Sequence, residues 1–146
     1  MGSLKLKSNN LQLLKMELNL DDGTVKFTEL LVHSKITVDE INNLRDTIDI
    51  QLGVQNAGFQ TYRIPSLEND EYCASLIFSN GKLMRLSIGA GKKYHFPAFE
   101  ITDEEINLID HWLFSLGGEK IYSWGSVVKN IDPKGGNISI SIKYNI

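Results

Sequence analysis

The run Ala74 to Ile88, ASLIFSNGKLMRLSI, constrains the fold more than any other part of the chain. Asn-Gly between two alternating apolar runs is the strongest short-range signal for a β-hairpin. Register matters here, because a slip of one residue moves every side chain to the opposite face. A two-residue loop would pair Ser79 with Lys82 and leave both faces mixed. A three-residue loop, with Gly81 left-handed as a bulge, pairs Phe78 with Lys82 and Leu76 with Met84. Ala74, Leu76, Phe78, Met84, Leu86 and Ile88 then share one face, and Ser75, Ile77, Leu83, Arg85 and Ser87 share the other. This register separates apolar from polar far better and is the one expected: one face for a core, one polar face left open.

Around the hairpin the chain alternates strand and helix signals. Residues 11–20, the turn Asp21-Asp22-Gly23 and residues 24–32 read as strand, turn and strand, although LQLLKMEL could equally open as a helix. Thr37 can cap a helix, with Glu40 completing a capping box and Ile36 stapling to Ile41. Val38, Ile41, Leu44, Ile48 and Leu52 would form its apolar stripe, with Gly53 at its end. Gly58 to Ile64 reads as a strand stopped by Pro65, followed by an acidic loop over Ser66 to Glu71. Gly89-Ala90-Gly91-Lys92-Lys93 lacks the spacing of a phosphate-binding loop and reads as a mobile basic loop. Thr102 and Glu105 repeat the capping box, and Ile106, Ile109, Trp112, Leu113 and Leu116 form an inward face that ends at Gly117-Gly118. The openings ITVDEI and ITDEEI lie 65 residues apart, which fits either a degenerate duplication or independent use of a good cap. Ile121 to Ile131 and Ile138 to Tyr144 form a last hairpin across Asp132-Pro133-Lys134-Gly135-Gly136. The expected architecture is a single α+β domain over residues 1–146, an antiparallel sheet of hairpins with two α-helices packed on one face.

Bulk properties exclude several classes. No apolar run is long enough to span a membrane, and MGSLKLK is not followed by the apolar stretch of a secretory signal. A lone Cys73 cannot form an internal disulfide, fits a reducing compartment, and reads as a small buried hydrophobe rather than a nucleophile. The net charge of −3 hides a sorting by layer. Residues 100–119 hold Glu100, Asp103, Glu104, Glu105, Asp110 and Glu119 without one lysine or arginine, whereas residues 72–99 carry Lys82, Arg85, Lys92 and Lys93 without one acid.

His33, His95 and His111 stand at no metal-ligand spacing, and no nucleophile motif is present, so no enzyme, cofactor or metal site is expected. Acids at the start of the second helix are favoured by its dipole alone. Asp103, Glu104, Asn107, Asp110 and His111 nevertheless occupy the arc opposite the core stripe, with Phe114 among them. An aromatic anchor inside a charged rim suits protein docking. The competing reading tucks Phe114 under the loop that begins at Gly117. Trp112 and Trp124 read as core residues rather than a stacking platform.

Gly58-Phe59-Gln60-Thr61-Tyr62, Phe78-Ser79-Asn80-Gly81-Lys82-Leu83, Asp110-His111-Trp112-Leu113, Trp124-Gly125, Asp132 to Gly136 and the strand ending at Tyr144 together resemble a family of small bacterial cytoplasmic proteins. These are the immunity proteins of polymorphic-toxin and contact-dependent-inhibition loci. Its members are Trp-rich before the second helix, where this chain reads Tyr94-His95-Phe96-Pro97-Ala98-Phe99. The resemblance implies a non-catalytic cytoplasmic binder that neutralises a cognate protein toxin, such as a basic nuclease domain. It carries over no binding residues. The alternative is a small-ligand or nucleic-acid binding module on the polar sheet face, with Ser75, Arg85, Ser87, Ser139, Ser141 and Lys143. Salt-sensitive binding to an acidic polymer would favour that module, and a toxin gene directly upstream would favour the inhibitor.

Overall fold

The computed structural model describes residues 14–146. A small antiparallel sheet comes first, formed by β1 (Glu17–Leu18), β2 (Val25–Lys26) and β3 (Leu31–Val32). The run expected as one strand over residues 24–32 is split, because the chain turns within Phe27–Leu30, where the Phe27 amide donates to the Leu30 carbonyl. Part of the first expected strand, residues 11–13, lies outside the described residues.

Helix α1 (Val38–Leu44) begins where expected. The Thr37 hydroxyl accepts from the Glu40 amide, and the Glu40 carboxylate accepts from the Thr37 amide in return. It ends two turns earlier than the apolar stripe suggests. Asp46, Thr47, Ile48 and Asp49 are poor helix residues, and the amides of Thr47 and Ile48 both close on the Leu44 carbonyl. The Arg45 Nε donates to the Ile50 carbonyl, which holds the chain as Ile50 enters the core. Leu52 and Gly53 therefore belong not to the helix but to an edge strand, β4 (Gln51–Gln55), and Leu52 is exposed.

β5 (Phe59–Leu67), β6 (Tyr72–Ser79) and β7 (Lys82–Ala90) follow, then α2 (Asp103–Ser115), β8 (Lys120–Tyr122), β9 (Gly125–Asp132) and β10 (Asn137–Tyr144). The seven strands from β4 onward form one antiparallel sheet in the order β8-β9-β10-β7-β6-β5-β4. The α+β class read from the sequence is the class observed. Each helix leads into an edge strand, and the following strands wind inward until β7 meets β10 at the centre. Pro65 does not end its strand: it sits in a bulge between Ile64 and Leu67, where a missing N–H removes no ladder bond. Nor is the run from Ile121 to Ile131 one strand. A turn at Ser123-Trp124 folds β8 back on β9, and Gly125 packs so tightly on the Lys143 carbonyl that a side chain has no room.

The central hairpin corrects the expected register. Ser79 pairs with Lys82 and Phe78 with Leu83, so the loop is the two-residue one, with Asn80 and Gly81 both at positive φ (50° and 80°). That is the backbone of a primed hairpin turn. The extra residue is absorbed one step later by a bulge at Met84, after which Ile77 faces Arg85 and Leu76 faces Leu86. Leu83, Phe78, Leu76, Leu86, Ile88 and Ala74 are all buried, while Met84 is only half-buried.

One continuous core takes Met16, Val25, Phe27 and Val32 from in and around the small sheet, Ile41 from α1, and Ile109, Trp112, Leu113 and the C-cap Leu116 from α2. All of these pack with the inward residues of the large sheet. Trp112 meets Tyr72 edge-on at 4.8 Å. Trp124 is half-buried and clamps the Asp21–Gly23 turn: it stacks on Tyr122, lies against Gly23 and donates from Nε1 to the Leu20 carbonyl at 2.8 Å.

α2 is capped by the Thr102 hydroxyl, which accepts from the Glu105 amide at 3.2 Å. The reciprocal arm of the expected box is not formed, because the Glu105 side chain is buried instead. Thr37→Ala removes two hydroxyl contacts, one accepted from the Glu40 amide and one donated to the Glu40 carboxylate, and should cost toward the upper end of about 0.5–2 kcal/mol, whereas Thr102→Ala removes one and should cost toward the lower end. Urea midpoints measure both, and equal losses would mean that the hydroxyl bond to the Glu40 carboxylate contributes nothing.

The segment after β7 is pinned rather than free. Gly91 packs on the Asp70 backbone, where a Cβ would collide, and the Lys93 Nζ donates to the Glu71 carboxylate at 2.6 Å. The Tyr94 hydroxyl donates to the same carboxylate, and Lys15 approaches it at 3.7 Å. Burial pushes the Glu71 carboxyl up, but the Lys93 and Tyr94 hydrogen bonds and the Lys93 and Lys15 charges outweigh it, so the net pKa lies below the ordinary 4.5. A depressed folded-state pKa contributes stability above the unfolded value, and that stability is lost as pH falls through the folded value. Glu71→Gln should therefore lower stability at neutral pH and flatten its decline below about pH 4.3. Denaturation midpoints across that window check this; parallel declines in wild type and variant would refute it.

Candidate functional site

The six residues expected to form a docking face lie along α2. Asp103, Glu104 and Asn107 are exposed, and Asp110 and His111 are half-buried beside them. Phe114 is 82% exposed, which removes the reading that tucks it under the following loop. Asp103, Asn107 and Phe114 fall on one side of the helix at its 3.6-residue period, and about 16 Å of axis separates the first from the last.

The charge of this layer is less free than its composition suggests. Asp110 accepts from the Lys129 Nζ at 2.8 Å, and the Glu119 carboxylate accepts from the Lys129 amide at 2.9 Å. Glu105 is buried on the opposite side of α2. The unengaged negative field thus concentrates around the helix start, at Glu100, Asp103 and Glu104, with Phe114 beyond them at the far end. His111 keeps its ring half-covered, with Nε2 buried and without a hydrogen-bond partner.

The other face of the large sheet is not the flat open surface that the alternation suggested. Cross-strand pairing sets Arg63, Ser75, Ser87, Ser141 and Val128 in one row, and Thr61, Ile77, Arg85, Lys143 and Ser126 in the next. Ser139 and Ser141 are buried, Ser75, Arg85 and Ser87 are half-buried, and Lys143 alone of the expected set is exposed. A cleft of about 910 Å³ opens over part of this face, walled by Phe96, Phe99 and the turn at Gly135-Gly136. Gly136 lies directly against the Phe99 backbone, which fixes that wall.

Cys73 faces this cleft instead of the core. Burial pushes its thiol pKa up, and its Sγ lies 3.5 Å from the Ala90 carbonyl, so it is poorly suited to act as a nucleophile. Arg63 was not singled out from the sequence. Its alternation with Tyr62 and Ile64, both buried, was the signal that places it on the polar face. Glu105 was also missed, because the capping-box pattern already accounted for it.

No family model matches the chain, and no curated protein matches it. Among solved structures, a chain of "Rhs1-CT in complex with cognate immunity protein RhsI1" superposes with a TM-score of 0.61 at 15% identity, covering 89% of this chain and 87% of that one. At that identity the likeness is one of fold. The resemblance to toxin-immunity proteins drawn from residues 58–144 thus has a structural counterpart over most of the chain.

Proposed function

We propose that this chain is a single-domain, non-catalytic immunity-type protein of the bacterial cytoplasm, which binds a cognate protein toxin and neutralises it. The observation that carries the reading is the fold shared over 89% of this chain with a chain of a toxin–immunity complex. The docking face we assign is the outer side of α2: Phe114 as anchor, Asp103, Glu104 and Asn107 as rim, Asp110 and His111 as its half-buried flank. A solvated phenylalanine loses unfavourable hydration on docking. Acids at the helix start draw a basic partner such as a nuclease domain. The test is to look for a toxin gene beside this one and to co-express its product with this chain, followed by purification of the complex. A toxin that stays active and unbound in the presence of the folded chain would defeat the reading.

A further inference from the structure

The cleft on the polar sheet face is a separate feature, built from groups that the docking face does not use. Arg63 and Arg85 both line it, and among the described residues neither has a carboxylate within ion-pair distance. The Arg85 Nε is shut off from solvent and has no hydrogen-bond partner among the described residues. Ser75, Ser87 and Ser139 line the same cleft. Buried N–H groups are ordinarily satisfied, and a half-buried arginine whose Nε is shielded without an acceptor leaves its guanidinium available to an anion in the cleft.

Placement says which acceptor. Arg63 on β5 and Arg85 on β7 are two strands and one row apart, roughly 12 Å between backbones, with Ser75 on the strand between them. Two long side chains rising from either flank, with hydroxyls below, supply donors from several directions to one compact oxyanion. A tetrahedral group with several acceptor oxygens uses such an arrangement better than a planar carboxylate. The volume is that of a small-molecule site, and Phe96 and Phe99 offer apolar ring surface on its wall. We propose that this cleft binds a phosphate monoester carried on a small, flat apolar body. Among the described residues Glu105 is the one carboxylate lining the cleft, and it works against an anion. Its burial favours the neutral form, which softens that opposition.

The experiment is an amide NMR titration of the full chain with inorganic phosphate, phenyl phosphate, benzoate and a short single-stranded oligonucleotide. Phenyl phosphate should give saturable shifts around Arg63, Ser75, Arg85 and Ser87, and should bind more tightly than inorganic phosphate or benzoate. Arg63→Gln and Arg85→Gln should each weaken it by about tenfold or more, and Glu105→Gln should tighten it. If a glutamine variant does not fold, the corresponding lysine variant keeps the charge, loses the fork and should still bind several-fold more weakly. Absence of saturable shifts with phenyl phosphate would overturn the proposal, as would unchanged affinity in folded arginine variants. Benzoate binding as tightly as phenyl phosphate would remove the phosphate assignment. Binding of the oligonucleotide alone would make the face a polyanion surface and not a small-molecule site.

Discussion

Leu83→Ala is expected to lower the free energy of unfolding by about 2–5 kcal/mol, and Met84→Ala by less than half as much. The two residues are neighbours of similar apolar volume on β7, so the difference between them reads the register directly. Leu83 is fully buried opposite Phe78, and its truncation leaves a cavity in the sheet's inward face beside the hairpin turn. Met84 is the bulged residue, without a cross-strand partner and only half-buried, so it has less contact to lose. The three-residue loop would reverse the order, since it sends Met84 inward and Leu83 outward. Urea denaturation of the two variants, with equal slopes confirming a common unfolded state, decides between them. A larger loss at Met84 would mean that the bulge is misplaced.

The hairpin's position was legible because Asn-Gly is a local signal, but its bulge was not. A three-residue loop and a two-residue loop followed by a bulge both insert one residue between the apolar runs, and both put Leu76 and Leu86 on one face. Among the apolar residues they differ in which of Leu83 and Met84 turns inward, and hydrophobicity does not separate those two; the pairing of Phe78 with Leu83 instead of Lys82 was the remaining signal. The first helix shows a similar degeneracy. Ile48 and Leu52 continue an apolar period that Val38, Ile41 and Leu44 begin, yet the first closes a turn and the second lies on an edge strand. Periodicity detects where apolar residues recur and not whether the backbone between them stays helical; Asp46, Thr47 and Asp49 carried that information. The outer face of α2 was legible because a 13-residue amphipathic helix leaves little freedom in its orientation. What could not be read was the pairing of Asp110 with Lys129, which depends on β9 passing beside the helix. The cleft required the order of all seven strands, since Arg63 and Arg85 meet only after β5, β6 and β7 are laid side by side.

The largest functional effect is expected from a variant that combines Phe114→Ala with Asp103→Lys and Glu104→Lys. The two parts should act on different rates. Phe114 is almost wholly solvated in the free chain and makes no contribution to the core, so its removal should leave stability nearly unchanged. In a complex it would be an anchor, and its loss should speed dissociation by a factor that corresponds to about 1–3 kcal/mol. Asp103 and Glu104 carry much of the negative charge of this layer that is not paired with Lys129, as Asp110 is. Their reversal should slow association with a basic toxin and weaken its dependence on salt, because steering by exposed charges is screened within roughly 10 Å at 0.1 M ionic strength. Reversal there also places cations at a helix N-terminus, at a cost of about 0.3–1 kcal/mol each, so folding must be checked independently by thermal melting. Asp110 is left intact, since changing it would also release Lys129 and blur the result. Association and dissociation rates of the neighbouring-locus toxin, measured at two salt concentrations for wild type, Phe114→Ala, the double reversal and the combined variant, resolve the two contributions. If the combined variant melts as a folded protein and still neutralises the toxin at wild-type affinity, α2 is not the docking face. A toxin bound by both proteins with equal rates would then have to approach through the sheet edges or the polar cleft, and Arg63→Gln and Arg85→Gln would be the variants to carry into the same assay.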